Sequence, residues 1–333
     1  MALLEVSDLF TSFFTPAGEV KAVNGISFTL DRRQTLGIVG ESGSGKSVTA
    51  YSILNLLEKT GKILSGSVKL DGQELVGASE KVMKKIRGNR ISIIFQDPMT
   101  SLNPTYTIGH QLTEGILLHT GRNGRQAYQR AVEMLTLVGV NDPHKRMKQY
   151  PHQLSGGMRQ RIMIAMALSC EPDILIADEP TTALDVTIQA QILELMQKLQ
   201  KEMGMAIIMI THDLGVVAQM CDKVLVMYAG TVCEQGSVED IFYNPKHAYT
   251  RGLLRSLPTL DGNGALKPIA GSPVNLLQLP QGCPFSPRCD EAMKICLKKR
   301  CPLTPAGEDH HTACWLHTKK ELESGGEFDR KSH

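Results

Sequence analysis

The sequence predicts an α/β fold built around a phosphate-binding loop, with an antiparallel β layer, a helical insertion and a small cysteine-rich C-terminal extension. Three observations support this prediction. A short apolar strand runs directly into a glycine-rich loop, further apolar runs alternate with helical segments, and polar side chains stand where three of these runs end. Alternating strands and helices are typical of a parallel sheet, and ligands bind at the carboxyl edge of such a sheet.

Length and composition indicate a globular chain of about two domains. It has 333 residues, 42% of them hydrophobic, which is enough for well-packed cores. With 36 Lys and Arg against 34 Asp and Glu, the net charge is +2, too balanced to indicate a nucleic-acid partner. No apolar run has the length of a membrane span, and Glu5 and Asp8 come too early for a signal sequence. We therefore expect a cytoplasmic chain that does not itself cross a membrane.

The glycine-rich loop occupies residues 40 to 47, directly after the apolar run from Thr35 to Val39. Gly40, Gly45, Lys46 and Ser47 give it the G-x-x-x-x-G-K-S spacing of a loop whose backbone N–H groups surround phosphates. Lys46 is expected to neutralise the β and γ oxygens, and Ser47 to place its hydroxyl on Mg²⁺. A glycine-rich turn without a ligand is the alternative. The complete spacing in a strand-loop-helix context favours a nucleotide.

An antiparallel β layer is predicted over residues 2 to 30, which alternate apolar and polar side chains around turn residues Pro16 and Gly18. Phe10, Phe13 and Phe14 lie in this layer. From the residues alone, a ring there either stacks on an adenine or packs in the core. Residues 105 to 168 carry apolar side chains at helical spacing, which predicts a mostly helical insertion.

Polar side chains follow three apolar runs that have the character of buried strands. Gln96 follows the first run, Asp178 and Glu179 end the second, and His212 follows the third. Asp178 is placed to hold Mg²⁺ through water, and Glu179 to orient or deprotonate an attacking water. Acids in an ordinary turn and a capping histidine are the alternatives. The phosphate-binding loop favours the metal and base roles for the two acids.

Eight cysteines are unevenly distributed, since Cys170, Cys221 and Cys233 lie singly and five crowd the C-terminal stretch. The five are Cys283, Cys289, Cys296, Cys301 and Cys314, spaced C-x5-C-x6-C-x4-C-x12-C. A reducing compartment makes metal binding a better interpretation than disulfides. Zinc and an iron–sulfur cluster both suit four thiolates, His310 or His311 is able to replace one ligand, and unligated thiols are the alternative.

Taken in order, these motifs resemble those of the nucleotide-binding subunits of ABC transporters, over essentially the whole chain. Residues 40 to 47 match the Walker A motif, Leu154 to Met158 the signature motif, and Ile174 to Asp178 the Walker B motif. The signature departs from LSGGQ only at Met158. Ala183 to Asp185 matches the D-loop.

This resemblance implies a set of site residues and a fold of the ABC-ATPase type. The implied catalytic residues are Glu179, His212 and Gln96, and Ser47, Gln96 and Asp178 are implied for Mg²⁺. The implied ATP-binding residues are Phe13, Gly40, Glu41, Ser42, Gly43, Ser44, Gly45, Lys46, Ser47 and Val48, with Ser155, Gly156, Gly157 and Met158 for the signature and Asp185 for the D-loop. In relatives the signature of one subunit completes the phosphate site of the other.

A narrower resemblance, over residues 96 to 104, 177 to 191 and 241 to 250, is to the ATPase subunits of di- and oligopeptide or nickel importers, D-type. It implies ATP hydrolysis that drives peptide uptake, at the cytoplasmic face of the membrane. The implied partners are a second, different ATPase subunit, two permease subunits and, indirectly, an extracytoplasmic binding protein. Nickel or another solute, a soluble ABC ATPase without transport function and a redox-regulated binding module are the alternatives.

The C-terminal region resembles the tail of importer ATPases that carry a [4Fe–4S] cluster. On this resemblance Cys283, Cys289, Cys296 and Cys314 are the ligands and Cys301 is the additional cysteine, with zinc as the alternative to the cluster. We expect a nucleotide-binding domain over residues 1 to 236, its helical part at about 100 to 168, and a C-terminal extension over 237 to 333. The charged residues after about Lys319 are expected to be disordered.

Overall fold

A computed structural model describes residues 2–97, 101–181, 185–256 and 268–318. The chain divides into two compact units, each discontinuous in sequence. The first unit comprises Met1–Leu3, Leu30–Thr35 and Gly77–Ile210, and the second comprises Leu4–Thr29, Leu36–Val76 and Thr211–His333. The glycine-rich loop and the described part of the cysteine-rich region thus belong to the same unit. The predicted boundary near residue 236 stays a prediction, and the expected disorder after Lys319 lies outside the described residues.

The strands and helices, in chain order, have the following bounds. The strands are β1 (Leu4–Thr15), β2 (Gly18–Leu30), β3 (Thr35–Val39), β4 (Gly61–Leu70), β5 (Gln73–Glu74), β6 (Ile91–Ile94), β7 (Ile174–Asp178), β8 (Ala206–Ile210), β9 (Lys223–Tyr228), β10 (Thr231–Ser237), β11 (Thr304–Pro305) and β12 (His311–Thr312). The helices are α1 (Lys46–Ile53), α2 (Glu80–Ile86), α3 (Ile108–Thr120), α4 (Gly124–Leu137), α5 (Pro143–Arg146), α6 (Gly156–Leu168), α7 (Val186–Met203), α8 (Leu214–Met220), α9 (Val238–Tyr243), α10 (Ala248–Arg255) and α11 (Lys294–Lys298).

In the first unit, strands β6, β7 and β8 run parallel, with Ile91 opposite Ile174 and Asp178 opposite Ile210. Every residue of β7 and β8 is buried, which explains their nearly continuous apolar sequences. Because these strands are parallel, their carboxyl ends lie at one edge. The sequence prediction that polar side chains follow strand ends is confirmed for β7, and Gln96 lies two residues beyond β6.

The predicted helical insertion is confirmed, and its helix ends are set by polar caps. The Thr107 side chain accepts from the N–H of His110 at the start of α3. Asn123 and Gln126 form a reciprocal capping box at the start of α4. Such caps satisfy N–H groups that have no partner inside the helix. Helix α4 therefore begins at Gly124, directly after its capping residue.

In the second unit, β1, β2, β4 and β5 form the predicted antiparallel layer in the order β2-β1-β4-β5. Strand β1 extends through a bulge near Asp8, where its pairing with β4 shifts between Ser7 and Phe10. Strand β3 pairs in parallel with β9, and the pairing continues antiparallel through β10, β12 and β11. The hairpin between β9 and β10 turns at Ala229 and Gly230, both at positive φ.

No helix among the described residues is both long and apolar enough to span a lipid bilayer.

The cap of α4 gives a stability prediction. We expect Asn123→Ala to lower the free energy of unfolding by about 1 kcal/mol, because the first N–H groups of the helix lose their side-chain acceptor. Urea denaturation followed by circular dichroism measures this change. Asn123→Ser is the matched control, because serine keeps a capping oxygen. An equal loss in both variants would contradict the role of the cap.

Candidate nucleotide site and cysteine cavity

Two positions of the loop require glycine, because the backbone of a neighbouring strand lies too close to each for a Cβ atom. A Cβ at Gly40 would lie 2.1 Å from the carbonyl oxygen of Met227, and one at Gly45 would lie 2.4 Å from that of Ala22. Both residues also have positive φ, 151° and 98°, a region that side chains disfavour. The loop is thus held against β2 and β9 in a conformation that only glycine permits at these two positions.

Lysine and serine side chains give this loop the character of an anion site. Lys46 is 6% exposed, and its Nζ donates to the carbonyl oxygens of Gly40 at 2.8 Å and Glu41 at 3.0 Å. The Ser44 hydroxyl is buried and makes no hydrogen bond to another described residue. Helix α1 begins at Lys46, so its N-terminus faces the loop. A cation, an unsatisfied hydroxyl and a helix N-terminus together suit a phosphate.

Glu41 is held by two side chains that are distant in the sequence. Its N–H donates to the Tyr249 hydroxyl at 2.8 Å, and its carboxylate accepts from both terminal nitrogens of Arg288, at 2.6 and 3.0 Å. Burial raises the pKa of Tyr249, which is 0% exposed, so the phenol stays neutral. Sequence reasoning assigned neither Tyr249 nor Arg288 to the nucleotide loop. No local signal identifies them, since they lie 208 and 247 residues from Glu41.

In the first unit, Gln96 and Glu179 are brought together. The Gln96 side-chain amide donates to the Glu179 carboxylate at 2.8 Å. Asp178, the last residue of β7, is 0% exposed, whereas Glu179 is partly exposed at φ 48°. A left-handed glutamate is a strained conformation of the kind that is concentrated at functional sites. Its N–H donates to the Ile210 carbonyl at 2.8 Å, which fixes the turn.

The signature residues form the start of α6, as the capping serine predicts. The Ser155 hydroxyl accepts from the N–H of Met158 at 3.4 Å. A Cβ at Gly156 would meet nothing within 4 Å, and one at Gly157 would lie 3.2 Å from Ile188. Gly156 therefore leaves its side of the helix N-terminus open, whereas Gly157 packs closely against Ile188. The Arg159 side chain extends toward the residues that precede α6, where its Nε donates to the Pro151 carbonyl at 2.8 Å. This guanidinium therefore stabilises the turn that leads into α6.

The remaining predicted residues have individual placements. Asp185 caps α7 by accepting from the N–H of Ile188 at 2.9 Å, while the rest of the D-loop motif lies outside the described residues. His212 is exposed in the turn between β8 and α8. Phe13 is partly buried opposite Gly61, where an added Cβ would lie 2.8 Å from its ring. An aromatic ring lying on a glycine of the neighbouring strand supports the packing interpretation without removing the stacking one.

The cysteine-rich region folds so that four thiols face one cavity, lined by Cys283, Cys289, Cys296 and Cys314. The backbone closes this arrangement, because the N–H of Cys283 donates to the Cys296 carbonyl at 2.7 Å. A Cβ at Gly282 would lie 2.0 Å from that oxygen, so glycine is required there. Burial raises the pKa of both Cys283 and Cys314 to about 12. Without a positively charged ligand these thiols are protonated at neutral pH.

Cys301 and the two candidate histidines do not share this cavity. Cys301 is 3% exposed and packs with Met293 and Trp315, and it is not among the residues that line the cavity. The buried His310 ring instead shares a hydrogen bond with the Glu234 carboxylate, at 2.7 Å between Nε2 and Oε1, and His311 is also not among the lining residues. Neither histidine therefore takes the place of a thiol at this cavity.

Across the described residues, no group of three or more His, Cys, Asp or Glu side chains is arranged to hold a single metal ion. The iron–sulfur cluster implied for the cysteine-rich region, its zinc alternative and a metal-binding assignment in general are therefore not supported by any such group among the described residues.

A phosphate loop, an acidic strand end beside a glutamine, and a serine-capped helix with glycines in its first turn together define an ATP-binding cassette. Comparison with protein-family models agrees. Residues 23–182 match the ABC transporter model, and residues 233–296 match the C-terminal region of oligopeptide/dipeptide transporters.

Curated relatives match over nearly the whole chain. The oligopeptide transport ATP-binding protein OppD of Salmonella typhimurium is 57% identical over 88% of this chain and 88% of its own length. The dipeptide transport ATP-binding protein DppD of Bacillus subtilis is 54% identical over 96% of each chain. The chain belongs to the ABC transporter family, among the oligopeptide and dipeptide transport ATP-binding proteins, and it is an ATPase.

Solved structures confirm the fold of the cassette. A dimeric structure of MJ0796, a bacterial ABC transporter cassette, has a TM-score of 0.63 at 26% identity and covers 71% of this chain and 98% of its own. A post-hydrolysis dimer of the same cassette, bound to ADP and Pi, has a TM-score of 0.64 at 27% identity. The predicted α/β fold of the ABC-ATPase type is therefore confirmed.

The contact between Gln96 and Glu179 leads to a catalytic prediction. We expect Glu179→Gln to bind ATP but to hydrolyse it at least about a hundredfold more slowly, because the variant lacks the carboxylate that accepts or orients the proton of the attacking water. Phosphate release by the assembled transporter measures this rate. Glu171→Gln is the matched control, because Glu171 is an exposed carboxylate paired with Arg130. Hydrolysis at the wild-type rate by Glu179→Gln would contradict the assignment.

Proposed function

We propose that this chain is the ATP-hydrolysing subunit of an importer of di- or oligopeptides. The match of residues 233–296 to the C-terminal region of oligopeptide/dipeptide transporters carries the proposal, because this region lies outside the residues matched by the general ABC transporter model. The names of the matching relatives support the same class of solute. The partners are then two permease subunits in the membrane, at whose cytoplasmic face the chain is bound, and an extracytoplasmic binding protein.

The residues of the loop fit the phosphates of ATP. Lys46 and the backbone N–H groups of residues 41 to 48 neutralise and hold the β and γ oxygens. The buried Ser44 hydroxyl, which has no acceptor or donor among the described residues, gains a phosphate oxygen as its partner. Phe13 supplies an aromatic face for the adenine ring.

Mg²⁺ is held by oxygen atoms, for which this chain offers the Ser47 hydroxyl, the Asp178 carboxylate and the Gln96 amide. When bound, the ion neutralises phosphate charge. The Gln96 amide, which donates to Glu179, keeps this carboxylate oriented for the attacking water. His212 stabilises the charge that develops on the transferred phosphoryl group.

The proposed catalytic unit contains a second cassette, most simply a related but different subunit. Ser155 caps the helix N-terminus and Gly156 leaves its first turn open, and with Gly157 they are suited to the γ-phosphate bound by another subunit. Met158 and Asp185 flank this surface. Because phosphoryl transfer depends on positioning and charge stabilisation, a separated subunit hydrolyses ATP poorly.

The solute is tested with the complete transporter. We expect proteoliposomes that contain both cassettes and both permeases, supplied with the binding protein, to hydrolyse ATP faster when a short peptide is added and to accumulate that peptide. Radiolabelled peptide and Ni²⁺ are compared in parallel. Accumulation of Ni²⁺ without accumulation of peptide would overturn the peptide assignment and support the alternative solute. A transporter that contains Lys46→Ala is the control for ATP-dependent uptake.

We further propose that Cys283, Cys289, Cys296 and Cys314 hold a [4Fe–4S] cluster. The four thiols line one cavity, and their sequence pattern resembles the tail of importer ATPases that carry such a cluster. A cluster of this type is held by four cysteine thiolates, and its positive irons stabilise the deprotonated thiols. We assign it a structural or redox-sensing role, because the cavity contains none of the predicted catalytic residues.

The cluster proposal gives a prediction about two cysteines. We expect anaerobically purified protein to be brown and to contain equal amounts of iron and acid-labile sulfide, both of which Cys289→Ser loses. Cys301→Ser is the matched control and keeps both, because the Cys301 thiol does not line the cavity. Elemental analysis and visible absorbance measure these contents. A colourless preparation that contains zinc, or loss of iron in Cys301→Ser alone, would overturn the proposed ligand set.

A further inference from the structure

The Walker A glutamate is joined to the cysteine-rich region by a bidentate ion pair. Arg288, which directly precedes Cys289, donates from both terminal nitrogens to the two carboxylate oxygens of Glu41, at 2.6 and 3.0 Å. The Arg288 side chain is 5% exposed and that of Glu41 is 26% exposed. Paired, parallel hydrogen bonds of this kind fix orientation as well as distance.

Arg288 is itself fixed by several other contacts. Its Nε donates to the Ala270 carbonyl at 2.9 Å, and one terminal nitrogen donates to the Ile269 carbonyl at 3.2 Å. The guanidinium also lies 5.8 Å from the ring centre of Tyr228 and 5.9 Å from that of Phe285. A guanidinium with this many contacts has little freedom left. The position of the Glu41 carboxylate therefore depends on the position of the Arg288 backbone.

A second contact holds the backbone of the same glutamate. Tyr249 accepts from the Glu41 N–H at 2.8 Å, and its ring packs against Tyr228 and Phe285, with centroid distances of 4.7 and 5.2 Å. Phe285 also lines the cysteine cavity. One aromatic cluster, formed by Tyr228, Tyr249 and Phe285, thus lies between the four thiols and the nucleotide loop.

The geometry points to Arg288 as a positioning residue of the nucleotide site, through which the cysteine-rich region holds the Walker A loop in its phosphate-binding conformation. Glu41 is the residue through which this occurs, because its carbonyl oxygen also accepts from the Lys46 ammonium at 3.0 Å. Arg288 holds the side chain of Glu41, Tyr249 its N–H and Lys46 its carbonyl. When the first of these contacts is lost, the loop samples conformations that no longer surround a phosphate.

The inference is tested by measuring nucleotide affinity after substitution of either residue of the ion pair. We expect Arg288→Ala and Glu41→Gln each to raise the dissociation constant of a fluorescent ATP analogue with Mg²⁺ about tenfold in the purified full chain. Arg288→Lys keeps the charge but loses the bidentate geometry, so its affinity lies between those of wild type and Arg288→Ala. In the assembled transporter, the KM for ATP rises while kcat changes much less.

Glu291→Gln is the matched control, because Arg251 pairs with Glu291 in the same C-terminal region. None of the hydrogen bonds described for that pair reaches residues 40 to 47. We expect wild-type nucleotide affinity for this variant, even if its thermal stability falls as far as that of Arg288→Ala. A general weakening of the C-terminal region would instead lower the affinity of both variants, which would overturn the inference.

Combining the two substitutions separates positioning from misfolding. If Glu41 and Arg288 act through their mutual ion pair, the double variant Glu41→Gln with Arg288→Ala binds nucleotide no more weakly than either single variant. Additive losses would show that each residue acts separately. Nucleotide affinities equal to wild type in both single variants would also overturn the proposal. Iron content is measured on each variant. An iron content equal to that of wild type in Arg288→Ala shows that this substitution has not acted through the neighbouring Cys289.

Discussion

The carbonyl groups of the phosphate loop are the constraint on which the site depends. A loop that turns its N–H groups toward an anion directs carbonyl oxygens away from it, and these need donors. Lys46 supplies one donor to Gly40 and Glu41. The tight approach of Gly40 to Met227 and of Gly45 to Ala22 allows no other residue at these two positions. The Walker A motif is therefore a packing requirement as much as a chemical one.

The C-terminal region takes part in the same arrangement. Tyr249 supplies an acceptor to the Glu41 N–H, and Arg288 supplies donors to the Glu41 carboxylate, contacts that the cassette core does not itself provide. Both lie in sequence that matches the C-terminal region of peptide transporters rather than the general ABC transporter model. The extension thus combines two features, a four-thiol cavity and a direct contact with the nucleotide loop, which are joined by the packing of Phe285 against Tyr228 and Tyr249.

Much of the fold was predictable because it is reflected in local patterns of apolar and polar residues. The fully apolar runs of β7 and β8 predicted buried parallel strands, and apolar side chains at helical spacing predicted the helical insertion. The full length of β1 was not predictable, since a bulge near Asp8 interrupts the alternation of apolar and polar side chains. The contact between His310 and Glu234 was also hidden, because the two residues lie 76 positions apart in the sequence.

The sequence by itself determined the motifs in which neighbouring residues act together: the phosphate loop, the capped signature helix and the acidic end of β7. Their chemistry depends on spacing within a few residues, so it is visible in one dimension. The tertiary structure alone decided that Gln96 contacts Glu179 and that Arg288 contacts Glu41. These pairs lie 83 and 247 residues apart, and pairing over such separations is set by the packing of the whole chain rather than by any local pattern.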